Sequence, residues 1–271
     1  MSIILWSLLI LGALALISGI GLGLASKKFS VEVDQRVVNI RENLPGANCG
    51  GCGFPGCDGF AAALASGKAD PSGCAVCSNA AREKRGEILG VKVEEGNRKV
   101  ARIICQGDTD HCKNRAAYDG VMDCRAAAVV AGGFKSCKFA CLGLGTCAVE
   151  CPFDAITVTD RGIVEIDEDV CTGCGKCVKV CPKNTIELMD VTLETYLACR
   201  NTGFGKEVMS VCTAGCTGCK VCSKVCPEGA IEIVNNLPVI DPEKCTGCGI
   251  CKEKCKPGAL IGPKKINIAE E

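Results

Sequence analysis

The chain opens on an apolar run without a charge, Ile3 to Ala25, twenty-three residues long. As a helix, such a run is long enough to cross roughly 30 Å of hydrocarbon. Trp6 stands near one end, where an aromatic ring suits the membrane interface, and Lys27 and Lys28 follow the other. Basic residues after the run and none before it argue against a cleavable leader and direct everything after Lys27 to the cytoplasm. The small residues Gly12, Ala13, Ala15, Ser18, Gly19, Gly21 and Gly23 leave room for a second helix, although a lipid-facing span accommodates them as well. Beyond Lys28 the pattern becomes short-ranged. Val37, Val38, Ile40 and Leu44 predict a short helix ending at a Pro45-Gly46 turn, Phe60 to Ala65 a second, and Ala80 to Leu89 a third, charged one. Val100 to Ile104 reads as a strand, and Asp123-Cys124-Arg125 opens an alanine-rich helix to Ala131. Two β-like runs, Thr157 to Ile166 and Glu232 to Ile240, occupy matching places in a repeat, each leading into an acidic turn, Asp167-Glu168-Asp169 or Asp241-Pro242-Glu243.

Composition changes this picture in one respect. The hydrophobic fraction of 48% is inflated by 26 cysteines, while aromatics supply 4% and Trp6 is the sole tryptophan. A large apolar core is therefore not expected; small modules nucleated by metal are, because ligation free energy is also folding free energy. So many thiols indicate a reducing compartment. The formal net charge is zero, counting neither thiolates nor bound metal, and no feature indicates nucleic acid.

The thiols themselves fall into runs. Cys137 to Cys151 reads C-x3-C-x5-C-x3-C-P, and Cys171, Cys174, Cys177 and Cys181 read C-x2-C-x2-C-x3-C-P. Spacing of the second kind brackets a cubane iron-sulfur cluster, and the Cys before Pro ligates the other cluster of a pair. A structural zinc site needs only four ligands and would not call for two interleaved runs each closed by Cys-Pro. A second such module follows, with Cys216, Cys219 and Cys222 sharing one cluster with Cys255, and Cys245, Cys248 and Cys251 sharing the other with Cys226. In the first module Cys171, Cys174 and Cys177 go with Cys151. The remaining set has Cys141, Cys147 and Cys181, but Leu144 stands where the second module has Cys219, so Cys137 is the local candidate for the fourth ligand, with an open iron as the alternative. Cys255 departs slightly from the pattern, its Pro257 lying one place late.

Upstream, Cys49, Cys52 and Cys57 lie in a glycine-rich loop and Cys74 follows Pro71-Ser72-Gly73, a further four-iron site with zinc as the alternative. Cys77 reads as a buried free thiol, with replacement of Cys74 as the fourth ligand the alternative. Cys105, Cys112 and Cys124 match no strong motif and read as buried thiols or part of another site; Cys199 and Cys212 are surplus on the same terms. His111, the only histidine, reads as a surface or hydrogen-bonding residue rather than a ligand. The count is five [4Fe-4S] clusters, with a sixth open.

The chemistry is one-electron relay, since no nucleotide-binding glycine loop, nucleophile elbow or hydrolytic metal signature is present. Lys220, Lys224, Lys244, Lys252, Lys254 and Lys256 around the second module either steer an acidic protein partner or offset cluster charge. The expected fold is α+β. A transmembrane anchor (1–28) precedes an N-terminal [4Fe-4S] module (29–92), a cysteine-containing connecting region (93–133) and a first ferredoxin-like module of the bacterial 2[4Fe-4S] type (134–190). A connector (191–211) leads to the second such module (212–271).

The anchor ending Gly21 to Phe29, the block Leu44-Pro45-Gly46-Ala47-Asn48-Cys49-Gly50-Gly51-Cys52-Gly53, the segment Asp123 to Ala127 and Gly143-Leu144-Gly145 before Cys147 together resemble the B-type subunit of the Rnf electron-transport complex, in its longer, two-module form. The resemblance implies an inner-membrane complex that oxidises reduced ferredoxin, reduces NAD+ and moves Na+ or H+. It carries Cys49, Cys52, Cys57, Cys74 and the ferredoxin-like cysteines over as cluster ligands. Soluble ferredoxin would be the electron donor, sister subunits would supply flavin and most of the membrane helices, and the isolated chain would be an electron carrier. A system that keeps a redox-sensing transcription regulator reduced, or another membrane oxidoreductase, would use the same relay with a different acceptor.

Overall fold

A computed structural model describes residues 2–29, 34–93 and 96–262. The apolar run forms α1 (Ser2–Lys28), 27 residues and so about 40 Å long. Its large side chains from Ile4 to Leu24 are exposed on all sides. No face is set apart for packing on protein, as expected of a helix whose solvent is lipid. Among the described residues it is the one helix long and apolar enough to cross a membrane.

The N-terminal module is a small helical unit of α2 (Gln35–Glu42), α3 (Gly56–Ala65) and α4 (Asn79–Leu89). Asp34 caps α2, its carboxylate accepting the Arg36 N–H at 2.8 Å, and Ser78 caps α4. Ile40, Leu44, Phe60 and Leu64 close the core together with Cys57, Cys74 and Cys77. Asn48, in left-handed backbone with φ 47°, accepts the Cys57 N–H at 2.8 Å and so ties the glycine loop to the start of α3.

The rest of the chain consists of β1 (Lys99–Ile103), α5 (Cys124–Val129), α6 (Thr146–Val149), β2 (Ile156–Val158), β3 (Val164–Ile166), α7 (Lys176–Val180), β4 (Ile186–Asp190), β5 (Tyr196–Leu197), α8 (Lys206–Val211), α9 (Val221–Val225), β6 (Ile231–Val234), β7 (Leu237–Ile240), α10 (Ile250–Glu253) and β8 (Leu260–Ile261). The alanine-rich helix stops at Val129, two residues short of the Ala131 expected. Ala131, Gly132 and Gly133 take positive φ there, and the Arg115 guanidinium donates to the carbonyls of Ala131 and Gly133.

The two β-like runs are antiparallel hairpins, β2-β3 and β6-β7, with Ile156 opposite Ile166 and Ile231 opposite Ile240. The last strand of each ferredoxin-like unit pairs with a strand from the segment before it. β1 runs antiparallel to β4, with Ile103 opposite Ile186, and β5 to β8, with Leu197 opposite Leu260. The segments between the cysteine runs thus complete the sheets of the runs that follow them.

Arg102 fastens this arrangement from inside. Almost fully buried, it forms a fork with Glu168 at 2.9 and 2.8 Å, donates to the carbonyls of Leu193 and Val191 at 2.6 and 3.3 Å, and lies over the Tyr196 ring. One side chain therefore holds β1, the acidic turn at Glu168 and the approach to β5 together. The planar guanidinium suits the task because it can serve several acceptors at once.

Candidate metal-cluster sites

Three of the short helices, α6, α7 and α10, begin immediately after a glycine in left-handed backbone, Gly145, Gly175 or Gly249, with φ between 75° and 79°. This turn swings successive thiols around a common volume, and glycine adopts it without strain. At α9 the position is filled by Lys220 with φ 61°, a strained choice for a residue with a Cβ.

In the second ferredoxin-like unit the thiols ring two cavities. Cys216, Cys219, Cys222 and Cys255 line one, against Leu197, Ile233 and Leu260. Cys226, Cys245, Cys248 and Cys251 line the other, against Ile231 and Ile240. The N-terminal module encloses a third cavity lined by Cys49, Cys52, Cys57 and Cys74, with Cys174 also in its wall. Cys77 is buried beside Cys74 but does not line it; Arg85 Nη1, itself buried, donates to Cys77 Sγ at 3.2 Å.

The first ferredoxin-like unit shows its grouping through electrostatics. Burial pushes the Cys177 thiol up to about 12, and negative charge on Cys171, Cys174 and Cys151 adds to the effect. Cys147 is likewise pushed up to about 12 by burial, with Cys124, Cys181 and Cys177 as its charged neighbours. Cys124 is thus next to the set that contains Leu144. It is buried, its N–H donates to Thr146 Oγ1 at 2.7 Å, and it packs in one cluster with Leu142 and Leu144. Cys137 faces elsewhere. With Cys105, Cys199 and Cys212 it lines a fourth cavity, between the two ferredoxin-like units. Cys112, fully buried, lies in thiol contact with Cys212, and that hydrogen bond holds the Cys112 thiol below its ordinary pKa. The structure therefore separates Cys137 from the Cys147 set and gathers four thiols that the ferredoxin motifs do not group. A signal for them is present in the chain. Cys124-Arg125 begins a C-R-x11-C-x3-C pattern through Cys137 and Cys141, and Cys199-Arg200 begins the same pattern through Cys212 and Cys216.

The surroundings of these thiols suit an iron-sulfur group. Backbone N–H groups are aimed at sulfur: Ala101 at Cys171 and Gly107 at Cys105, both 3.3 Å; Cys216 at Cys199, 3.3 Å; Thr185 at Cys181 and Ala230 at Cys226, both 3.4 Å. Hydrogen bonds of this kind stabilise ligating sulfur and tune its potential. Thr195 Oγ1 and Thr172 Oγ1 are buried without a protein partner among the described residues; the first belongs to a residue lining the Cys226 cavity and the second follows Cys171. Raised thiol pKa values are what burial imposes, and metal ligation reverses them by removing the proton. The thiols ring volumes instead of converging on a point. Among the described residues no group of three or more His, Cys, Asp or Glu is placed to hold a single metal ion. His111 is hydrogen-bonded through Nδ1 to Asp108 Oδ1 at 2.7 Å, and Arg161 pairs with the same carboxylate.

Neighbouring thiol sets act on one another through their charge. Charge on Cys49 acts on Cys174, Cys177 on Cys147, Cys105 on Cys141, Cys216 on Cys199, and Cys251 on Cys222. Each step joins one thiol set to the next.

Comparison with known proteins agrees with this chemistry. Residues 44–76 match a family model described as a putative Fe-S cluster, and residues 137–188 and 215–259 match two described as 4Fe-4S dicluster domains. The chain is 43% identical over 235 residues to the B-type subunit of the Na(+)-translocating ferredoxin:NAD(+) oxidoreductase complex of Acetobacterium woodii, covering 87% of this chain and 71% of that one. It is 36% identical to the B-type subunit of the ion-translocating oxidoreductase complex of Methanosarcina acetivorans, covering 90% and 92%. With the B-type subunit of the proton-translocating ferredoxin:NAD(+) oxidoreductase complex of Clostridium ljungdahlii it shares 38% identity, covering 89% and 85%.

Proposed function

We infer that this chain, which belongs to the B-type subunit family of Rnf ion-translocating oxidoreductase complexes, relays electrons from reduced ferredoxin toward NAD+ while its complex moves Na+ or H+. The observation that carries the reading is the unbroken succession of thiol sets from Cys49 to Cys248. A relay needs neighbouring sites and needs them all occupied; a set of unrelated structural metals needs neither.

Six four-thiol sets fit this role. Cys49, Cys52, Cys57 and Cys74 hold the first. Cys151, Cys171, Cys174 and Cys177 hold the second. The third takes Cys141, Cys147 and Cys181 with Cys124 as fourth ligand, in place of Cys137. Cys105, Cys137, Cys199 and Cys212 hold the fourth, between the ferredoxin-like units, with Cys112 beside them. Cys216, Cys219, Cys222 and Cys255 hold the fifth, and Cys226, Cys245, Cys248 and Cys251 the sixth. When bound, a [4Fe-4S] cluster accepts and releases one electron at a time. The chain's own part is to fix the thiolates, aim amides at them and exclude water.

Cys219 and Cys248 are the exposed thiols among those described, and Lys220, Lys224, Lys244, Lys252, Lys254 and Lys256, from the same part of the chain, are exposed as well. These lysines suit an acidic ferredoxin, steered by charge. α1 anchors the chain in the inner membrane with the thiol-bearing region in the cytoplasm, where flavin-containing and multi-span sister subunits complete the path. The test is NAD+ reduction by anaerobic membranes supplied with reduced ferredoxin, with and without the gene for this chain, while an ion gradient is followed. Loss of both activities on deletion, restored by the intact gene, is expected. Persistence of both would assign the relay to another acceptor.

A further inference from the structure

The N-terminal module touches the first ferredoxin-like unit at a point that no motif foretells. Cys174, which belongs to the Cys151 set, stands in the wall of the cavity ringed by Cys49, Cys52, Cys57 and Cys74. Directly against it lies Gly51, between the ligands Cys49 and Cys52. A Cβ on Gly51 would stand 2.5 Å from the Cys174 carbonyl oxygen, 3.3 Å from its carbonyl carbon and 3.4 Å from its Cα. The first distance is about 1 Å short of ordinary van der Waals contact, and the obstacle is backbone, which cannot swing aside as a side chain can.

The glycines on either side have a different reason. Gly50 and Gly53 take φ +68° and +88°, with nothing nearer than 3.7 Å to an added Cβ, so the turn itself calls for glycine there. Gly51 has no positive φ. Its φ does not by itself call for glycine, and what the missing side chain provides is closeness.

We propose that Gly51 and Cys174 form the junction through which the N-terminal module exchanges electrons with the first ferredoxin-like unit, the bare backbone at 51 serving to bring the two thiol sets together. One electron crosses, so the group on one side is oxidised by one and the group on the other reduced by one; no bond forms or breaks. Electron transfer between fixed centres falls off exponentially with separation, so a side chain at this point acts on rate without touching either ligand set. Gly51 is a positioning residue. The inference rests on both thiol sets being cluster ligands, and the experiment separates the two claims.

The full chain in its complex is purified anaerobically as Gly51→Val, with Gly51→Ala as a smaller step, and iron per chain is counted before and after reduction with dithionite. The expected result is unchanged iron, loss of the magnetic interaction between the two reduced clusters in the EPR spectrum, and slower electron equilibration between them, graded from Ala to Val. Full iron content with unchanged interaction and unchanged equilibration overturns the proposal. Should Gly51→Val fail to fold, Cys49→Ser in the otherwise native chain decides the matter. Loss of the N-terminal cluster with narrowing of the EPR line of the Cys174 set supports the junction, and loss without narrowing overturns it. Unchanged iron in Cys49→Ser would remove the N-terminal cluster assignment, and the junction with it.

Discussion

Replacing Cys124 by alanine should cost one cluster, about four irons per chain, although Cys124 stands outside every ferredoxin motif. Cys124 is a charged neighbour of Cys147, whereas Cys137 lines a cavity with Cys105, Cys199 and Cys212. Two substitutions within one set remove the same cluster, so Cys124→Ala with Cys147→Ala still costs about four irons, as does Cys137→Ala with Cys199→Ala. Cys124→Ala with Cys137→Ala strikes two sets and costs about eight. The assay is iron and acid-labile sulfide per chain on anaerobically purified protein, with EPR spin counting to show that the other clusters persist. A Cys124/Cys137 double variant that loses only about four irons would put both thiols on one cluster and refute the partition. Full iron in Cys124→Ala would show that Cys124 ligates nothing.

Arg102→Met should leave the largely buried Glu168 without its partner, a loss of about 3 kcal/mol or more, seen as faster loss of iron on heating; Arg102→Met with Glu168→Gln should recover part of it, and no recovery would mean the ion pair is not the cause. The Asp108 carboxyl is pushed up by burial, but His111 and Arg161 outweigh this and hold it below its ordinary value. A depressed carboxyl stabilises the fold fully above its unfolded pKa, near 3.9, and that contribution vanishes as pH falls through the lower folded value. Asp108→Asn should therefore cost about 1–2 kcal/mol at pH 7, with the gap from wild type closing below about pH 4; urea unfolding followed by circular dichroism at both pH values checks this, and a gap that stays constant would refute it. A chain cut before Phe29 should no longer float with liposomes that the full chain accompanies, and continued flotation would assign membrane binding to another surface.

Some of this was written in local spacing. A charge-free run the length of α1 has few other stable placements, and C-x2-C-x2-C-x3-C specifies its cluster because the ligands lie within one loop and one turn of helix. For the same reason the crossing of Cys226 between sets is expected from spacing, since Pro227 turns it away from its own run, whereas Cys255 has Lys256 in that place and Pro257 one residue later. Other features depend on residues far apart in sequence, and spacing carries no information about them. Val100 to Ile104 reads as a strand, but only the folded chain pairs it with Ile186–Asp190. Leu144 announces a missing ligand without naming its substitute. The nearest spare thiol in sequence, Cys137, turns instead toward Cys105, Cys199 and Cys212, while Cys124 packs in because α5 sets it against Thr146. Gly51 reads as one more glycine in a loop full of them. That it lies against Cys174 follows from how two metal-nucleated modules dock, a matter of shape that neither module's sequence contains.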